Sequence, residues 1–412
     1  MRWITRKLES AGYETWAVGG AIRDALQGHP SGDWDLATRA RPEEVRRIFR
    51  RTVPIGMEHG TVGVLSDDGV MYEVTTFRKD VETDGRHAVV SFADSVEEDL
   101  ERRDFTMNAI AWHPLRGEIR DPFDGLGDLD RGVLRAVGVA EERFAEDYLR
   151  ILRALRFAGR FGLTVEAATW AAACAGVEKL RALSAERIRE ELLKILGDDR
   201  RPSGALELYR RSGALGVLYP ELQETVSNAP ERWDGLLRMI DHLPPGRPLM
   251  RLAALLRPLS PRDAAQILMR MKISNVQADE VARRAGAPAM PGAGASDADV
   301  RRWLSQVGRQ RLAALGRLEL ARARNGGPVA PDSVVASWRR CRQILAQKPP
   351  LDVGDLAVDG RDLIRMGLRP GPRFGTLLSE LLNWVLDDPA RNEAVTLLAH
   401  ARALTGDGGS DV

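Results

Sequence analysis

The chain has 412 residues, 44% hydrophobic and 29% charged, with a net charge of +1. That length exceeds one hydrophobic core and implies about two to four domains; no apolar run approaches the ~20 residues that cross a bilayer, and residues 1–10 lack the apolar stretch and cleavage site of a secretory signal. Two cysteines, Cys174 and Cys341, lie far apart without metal-ligand spacing, which argues against a disulfide framework or zinc site and fits a reducing cytoplasm.

In chain order, residues 2–11 have helical spacing, and Glu14 to Val18 reads as a short strand ending at Gly19-Gly20. Asp33 to Ala37, Gly60 to Leu65 and Val70 to Phe77 read as strands, the last two joined by a turn at Asp67-Asp68-Gly69. Pro42 to Arg51 reads as a helix with proline in its first turn. From about Phe144 onward strand signals almost vanish and helical periodicity continues, broken by Gly- and Pro-rich stretches at Gly286 to Ser296 and Asn325 to Asp332. No repeat of fixed period occurs. The expected architecture is a small α+β head, a mixed sheet with helices, followed by an elongated all-α part.

Nearly all the positive charge is arginine, which suits bidentate contacts with phosphate and base edges; a GC-rich genome gives the same bias, so clustering matters more than number. A strand that ends in two glycines and enters a helix lets backbone N–H groups approach a phosphate, and Arg23 adds charge one turn on; the same pair also serves as a plain turn. Asp33 and Asp35, two apart on a strand, point to one face. Converging carboxylates suit Mg²⁺, although a solvent-facing strand edge gives the same spacing. Two such ions would activate an attacking hydroxyl and stabilise a leaving pyrophosphate. Glu73, on the strand MYEVTTF, is a possible third carboxylate.

In ERRDFTMNAIA at 101–111, Arg102 and Arg103 bring positive charge, and Asp104 and Asn108 fall four apart, as on one helical face. In EDYLRILRALRF at 146–157, Asp147, Arg150, Arg153 and Arg156 recur every three residues and are expected to project from one helical ridge. Arginines at that spacing repel one another, so a structural use needs acidic partners from elsewhere; an anionic ligand is the simpler counter-charge. Asp147 can accept from an exocyclic amine and Arg150 can donate to the neighbouring ring acceptor, with Arg153 and Arg156 further along toward phosphates.

Taken together, VGGAIRD, DWDLAT, RRDFTMNAIA, EDYLRILRALRF and ERIREELLKIL (186–196) resemble, in order, the motif series of the bacterial-type (class II) tRNA nucleotidyltransferases, relatives of DNA polymerase β that include bacterial poly(A) polymerases. IGMEHGTVGV at 55–64 resembles the CCA-adding branch, as does LAVDGRDLIRMGLRPGPRFG in the tail, where Gly371, Pro372 and Gly375 beside Arg369 and Arg373 suit phosphate contacts. The resemblance implies Asp33 and Asp35 as the Mg²⁺-binding catalytic pair, and Gly20, Arg23, Arg103, Asp147, Arg150, Arg153 and Arg156 as nucleotide-binding. It implies a catalytic head at 1–140, a helical neck for base recognition at 141–200, a helical body at 201–335 and a tRNA-binding tail at 336–412. Arg78 to Phe92 occupies the place of the loop that helps such enzymes turn from CTP to ATP, and lacks an expected tyrosine. Residues 235–284 resemble an HD phosphohydrolase-like module, but Arg257-Pro258 stands where its His-Asp would be and His242 alone cannot hold a metal.

The implied activity is template-independent addition of C, C and A to the tRNA 3′ end from CTP and ATP, by two-metal in-line attack of the 3′-hydroxyl on the α-phosphate with release of pyrophosphate. The expected partners are tRNA, CTP and ATP, with no membrane and no obligate protein partner, in the cytoplasm. Poly(A) polymerase or a CC-only or A-only enzyme comes second, and a silent RNA-binding protein or an HD phosphohydrolase after those.

Overall fold

A computed structural model describes residues 1–28, 32, 34–57, 60–83, 88–198 and 200–406. By internal packing the chain divides into two units, Met1–Glu224 and Thr225–Val412.

The first unit opens with α1 (Arg2–Ser10), which buries Ile4, Thr5 and Leu8 on one side. β1 (Thr15–Val18), α2 (Gly20–Leu26), β2 (Asp35–Thr38), α3 (Pro42–Ile48), β3 (Thr52–Gly56), β4 (Thr61–Leu65) and β5 (Met71–Thr76) come next, then the hairpin β6 (Arg78–Thr83) and β7 (Ala88–Phe92). β1 to β5 with β8 (Ala111–Trp112) and β9 (Ile119–Arg120) give a seven-stranded sheet in the order β3-β4-β5-β2-β1-β8-β9, antiparallel except for the β2–β5 pair, and β6 and β7 pair separately. Alternate residues of the central strands serve opposite faces. Ala17, Leu36, Val62, Val64 and Val74 pack with Ile4 and Leu8, whereas Trp16, Val18 and Ala37 pack with Phe77, Val96 and Leu100. The turn expected at Asp67 to Gly69 closes β4 onto β5, with Gly69 at φ +83°.

Strand ends shift by one or two residues, β2 starting at Asp35, and two segments depart further from what the sequence leads one to expect. The helix expected to reach Arg51 stops at Ile48, because Phe49 is extended (φ −111°, ψ 124°) and buried edge-on to Trp3 at 5.4 Å. The chain then enters the edge strand β3, whose Pro54 is tolerated because β3 pairs on one side only. In ERRDFTMNAIA, α4 (Val96–Glu101), capped by Ser95, ends before the arginines. Phe105 is extended and buried, bridging to Ala136, and only Thr106–Asn108 makes a short 3₁₀ turn.

The rest of the unit comprises α5 (Gly125–Asp130), β10 (Val133–Leu134), α6 (Ala140–Glu146), α7 (Leu149–Phe161), β11 (Thr164–Val165), α8 (Ala167–Gly176), α9 (Ala185–Asp198), α10 (Pro202–Ser212) and α11 (Ala214–Leu218). α7 and α10 pack where Gly159 faces Gly204 and Ala205, so that their backbones nearly touch.

α12 (Pro220–Asn228) carries the chain into the second unit, all of whose regular elements among the described residues are helices. The expected breaks fall between helices ending at Ala285 and Arg324 and those starting at Asp297 and Pro331. Toward its end Leu363, Leu377, Leu381, Val385 and Leu397 form a separate core. Among the described residues no helix is long and apolar enough to cross a membrane.

Candidate active site

The site grows from the end of β1. Gly19 has φ +85° and ψ −152°, a conformation reserved for glycine, and this kink aims the start of α2 at open space. A Cβ on Gly19 would lie 3.4 Å from Arg103 Nη1 and 3.5 Å from Asp35 Oδ2. Turn, guanidinium and carboxylate therefore converge. Arg23 tucks beneath Gly20, whose added Cβ would come within 3.2 Å of Nη2. Its Nε and Nη2 donate to Asp24 Oδ1 (2.9 and 2.7 Å) and its Nη1 to Asn108 Oδ1 (2.6 Å). Burial draws Arg23 below the ordinary arginine range, against the opposing pull of Asp24.

Asp35 begins β2, exposed and opposite Val18. The parallel register pairs Leu36 with Val74, which sets Glu73 beside Asp35 on the same face, also exposed. Asp33 lies outside the described residues. The cleft over this face encloses about 630 Å³, and Gly19, Gly20, Arg23, Asp35, Glu73, Arg103, Asp147, Arg150 and Arg153 all line it. Of the other residues singled out in the sequence, Arg156 does not line it.

The arginines are held by buried carboxylates. Asp99, 1% exposed, accepts from Arg102 Nε and Nη2 (3.0 and 2.9 Å) through Oδ1 and from Arg103 Nη2 (3.1 Å) through Oδ2. Burial pushes its pKa up, but the charges of Arg103 and Arg102 outweigh this and hold it below the usual carboxylate range. Arg103 Nε is buried and has no hydrogen-bond partner among the described residues. Asp104 accepts from Arg153 Nε (2.7 Å) and Asn108 Nδ2 (2.9 Å). The contact expected from the i, i+4 spacing of Asp104 and Asn108 thus forms without a helix.

The ridge expected from Asp147 to Arg156 is corrected in two respects. Asp147 is not helical: with φ −155° and ψ 105° it breaks α6 from α7. Its Oδ1 accepts from Leu149 N (3.0 Å) and its Oδ2 from Arg187 Nη2 (2.7 Å). The acidic partners for the arginines also exist. Arg150 pairs with Glu146, Arg153 with Asp104, and Arg156 with Glu191 at 2.7 Å. Arg156, expected beside a phosphate, is 6% exposed and ties α7 to α9.

Sequence reasoning passed over Asp99, Arg187, Glu191 and Phe157. Arg187 and Glu191 sit in ERIREELLKIL, where Arg187, Glu191 and Lys194 recur every three or four residues; that regularity marks a charged helical face, not its partners on α7. In the second unit, Arg257 pairs with Glu319 and donates to Arg284 O (3.2 Å). His242 Nδ1 lies 2.8 Å from Arg238 O and 3.1 Å from Asn325 Nδ2. Arg257, at the position where the resemblance to an HD module would require a metal ligand, is thus engaged in an ion pair. Toward the C-terminus, the short helix Gly360–Arg365 is capped by Asp359, and Arg373 starts a helix directly after Gly371-Pro372.

A family model described as the poly A polymerase head domain matches residues 15–135, and one described as a probable RNA- and SrmB-binding site of polymerase A matches residues 162–225. A CCA-adding enzyme of Limosilactobacillus fermentum is 36% identical over 424 aligned positions, covering 98% of this chain and 96% of the relative. The chain belongs to the CCA-adding enzymes. The CCA-adding enzyme of Geobacillus kaustophilus is also 36% identical, covering 96% of this chain and 94% of its own. The crystal structure of the Bacillus stearothermophilus CCA-adding enzyme in complex with CTP matches the fold with a TM-score of 0.80, 33% identity and 98% coverage of both chains. This is therefore a nucleotidyltransferase of a family that uses a divalent metal.

Proposed function

We propose that the enzyme adds C, C and A to the 3′ end of tRNA, without a nucleic-acid template, from CTP and ATP. The observation that carries this reading is the convergence on one cleft of the Gly19 turn, Asp35, Arg103 with its unpartnered Nε, Asp147 from the α6–α7 break and Arg150 from α7. The relatives' shared name and near-complete coverage support it.

The donor set fits Mg²⁺. Asp35 and Glu73 offer hard oxygen ligands side by side at the cleft. Mg²⁺ is an ion that takes one or two carboxylates and completes its shell with substrate phosphates and water. Asp33 and Asp35 would hold Mg²⁺, with Glu73 beside them. When bound, two Mg²⁺ would supply charge at the attacking and leaving oxygens of the in-line displacement.

The chain's own groups do the rest. The N–H groups at the start of α2, with Arg23 beneath them and Arg103 beside them, receive the triphosphate. Arg153 adds charge from α7. The tRNA 3′-hydroxyl attacks the α-phosphorus as the bond to pyrophosphate breaks. Asp147 accepts from the exocyclic amine of cytosine or adenine while Arg150 donates to the adjacent ring nitrogen; uracil and guanine would turn a carbonyl toward the carboxylate. Arg156 steadies α7 through Glu191. In this reading residues 1–140 are the catalytic head, 141–200 the neck, 201–335 the body and 336–412 the tRNA-binding tail. The enzyme would act in the cytoplasm.

The test is to incubate tRNAs ending before, within and after CCA with each nucleoside triphosphate alone and with CTP and ATP together, and to size the products. With both together, completion of the first two and no growth of the third is expected. Long A tracts on the third would instead identify a poly(A) polymerase.

A further inference from the structure

We infer that the ring of Phe157, backed by Phe161, is a cation–π platform that sets the orientation of the cleft arginines, so that Phe157 is a positioning residue for the triphosphate. This rests on the reading of the cleft as a nucleotide site. Phe157 lines the cleft, is 6% exposed, and sits on α7 between Arg153 and Phe161. The guanidinium carbons of Arg23, Arg153 and Arg156 lie 5.0, 5.2 and 4.1 Å from its ring centroid. Arg23 is also 4.6 Å from the ring of Phe161, which stacks on Phe157 at 6.2 Å and 15°. One aromatic pair thus gathers arginines from α2 and α7.

Core packing alone does not require this. A leucine would fill much of the same space against Phe105, but only an aromatic ring presents a negative face to cations. The carboxylates nearby grip the edges of the same guanidinium groups: Asp24 that of Arg23, Asp104 that of Arg153 and Glu191 that of Arg156. A carboxylate fixes an arginine but cancels its charge. A ring fixes the plane of the guanidinium while leaving its charge and N–H groups to a polyanion. A site that must bind triphosphate repeatedly has reason to use both.

The test replaces Phe157 in the full chain with 4-fluoro-, 3,5-difluoro- and pentafluorophenylalanine, which keep the ring and progressively withdraw its electron density. Dissociation constants for CTP, ATP and inorganic tripolyphosphate are read by calorimetry, with the melting midpoint as the fold control. All three ligands are expected to weaken in step with fluorination, by about 2- to 30-fold at the pentafluoro ring, the range that a cation–π contact supports. The loss should appear in KM for CTP and ATP alike more than in kcat, and Phe157→Tyr should retain binding that Phe157→Leu loses. Binding that stays flat along the series, whether or not the midpoint moves, overturns the platform and leaves the nucleotide site standing. Failure of the unsubstituted enzyme to bind CTP, ATP or tripolyphosphate overturns the nucleotide reading and the platform with it.

Discussion

Gly159→Ala probes the frame that holds α7, the helix that brings Arg150 and Arg153 to the cleft. A Cβ built on Gly159 would fall 2.6 Å from the Cβ of Ala205 and nearer still to that residue's backbone nitrogen and Cα. Ordinary carbon–carbon contact is about 3.5–4.0 Å, so α7 and α10 must part by roughly 1 Å. Backbone atoms cannot rotate out of the way, so the cost falls in the upper part of the ~1–3 kcal/mol range of overpacking, about 2–3 kcal/mol. Against it stands the helix preference of alanine over glycine, up to about 1 kcal/mol. The expected net loss is about 1–2 kcal/mol, which at about 2–4 °C per kcal/mol for a unit of this size lowers the melting midpoint by roughly 2–8 °C. Gly216→Ala, inside α11, is the control: its Cβ would meet only the flexible Gln223 side chain, at 3.4 Å and beyond, so the helix preference acts unopposed and it should melt at or up to about 4 °C above the parent. Scanning calorimetry on the full chain compares the two. A Gly159→Ala protein as stable as the parent would mean that α7 and α10 do not close backbone to backbone.

Asp147→Ala should lower the preference for CTP over UTP by about 5- to 150-fold in kcat/KM, the range of a lost bidentate base contact of ~1–3 kcal/mol; an unchanged ratio would place base reading elsewhere. Asp104→Asn should destabilise the enzyme at pH 7 by somewhat less than the ~3–5 kcal/mol of a broken buried pair, since the Arg153 side chain is 32% exposed. Burial pushes the Asp104 pKa up, but Arg153 outweighs it and the net shift is downward. The stability it confers is therefore present above the unfolded carboxylate pKa of about 3.9 and lost as pH falls through the lower folded value. Urea unfolding from pH 7 to 3 should show a shallower acid loss in Asp104→Asn than in the parent; parallel curves would contradict the coupling. Gly19→Ala should impair nucleotide binding in calorimetry while the melting midpoint falls by no more than a few degrees, because φ +85° strains any other residue at the turn.

The sequence was most legible where one residue type has a local physical consequence. Gly19-Gly20 at a strand end, Asp67 to Gly69 between alternating runs and the Gly/Pro breaks before Asp297 and Pro331 all mark places where the backbone must turn, and it does. Edge strand β3 was not legible, because Pro54 interrupts its pattern and only pairing with β4 rescues it. The ridge at 147–156 misled for a related reason. Spacing by three describes a continuous helix, but Asp147 gains more by capping Leu149 and meeting Arg187 than by extending α6. The partners of the arginines were hidden because ion pairs such as Arg156–Glu191 and Arg153–Asp104 join residues 35 and 49 positions apart. Local periodicity carries no information about such distances.

Asp35→Ala tests the central claim most directly. Addition of radiolabelled CMP from CTP to tRNA lacking its CCA end is followed at saturating Mg²⁺, alongside tRNA affinity by filter binding. Addition should be abolished, since Asp35 stands at the converging point of the Gly19 turn and Arg103 and, if it holds Mg²⁺ as proposed, its removal leaves the attacking hydroxyl unactivated. Affinity for tRNA should change by less than about 2-fold, because phosphate contacts elsewhere supply it. Substantial turnover by the Asp35→Ala enzyme would contradict the account.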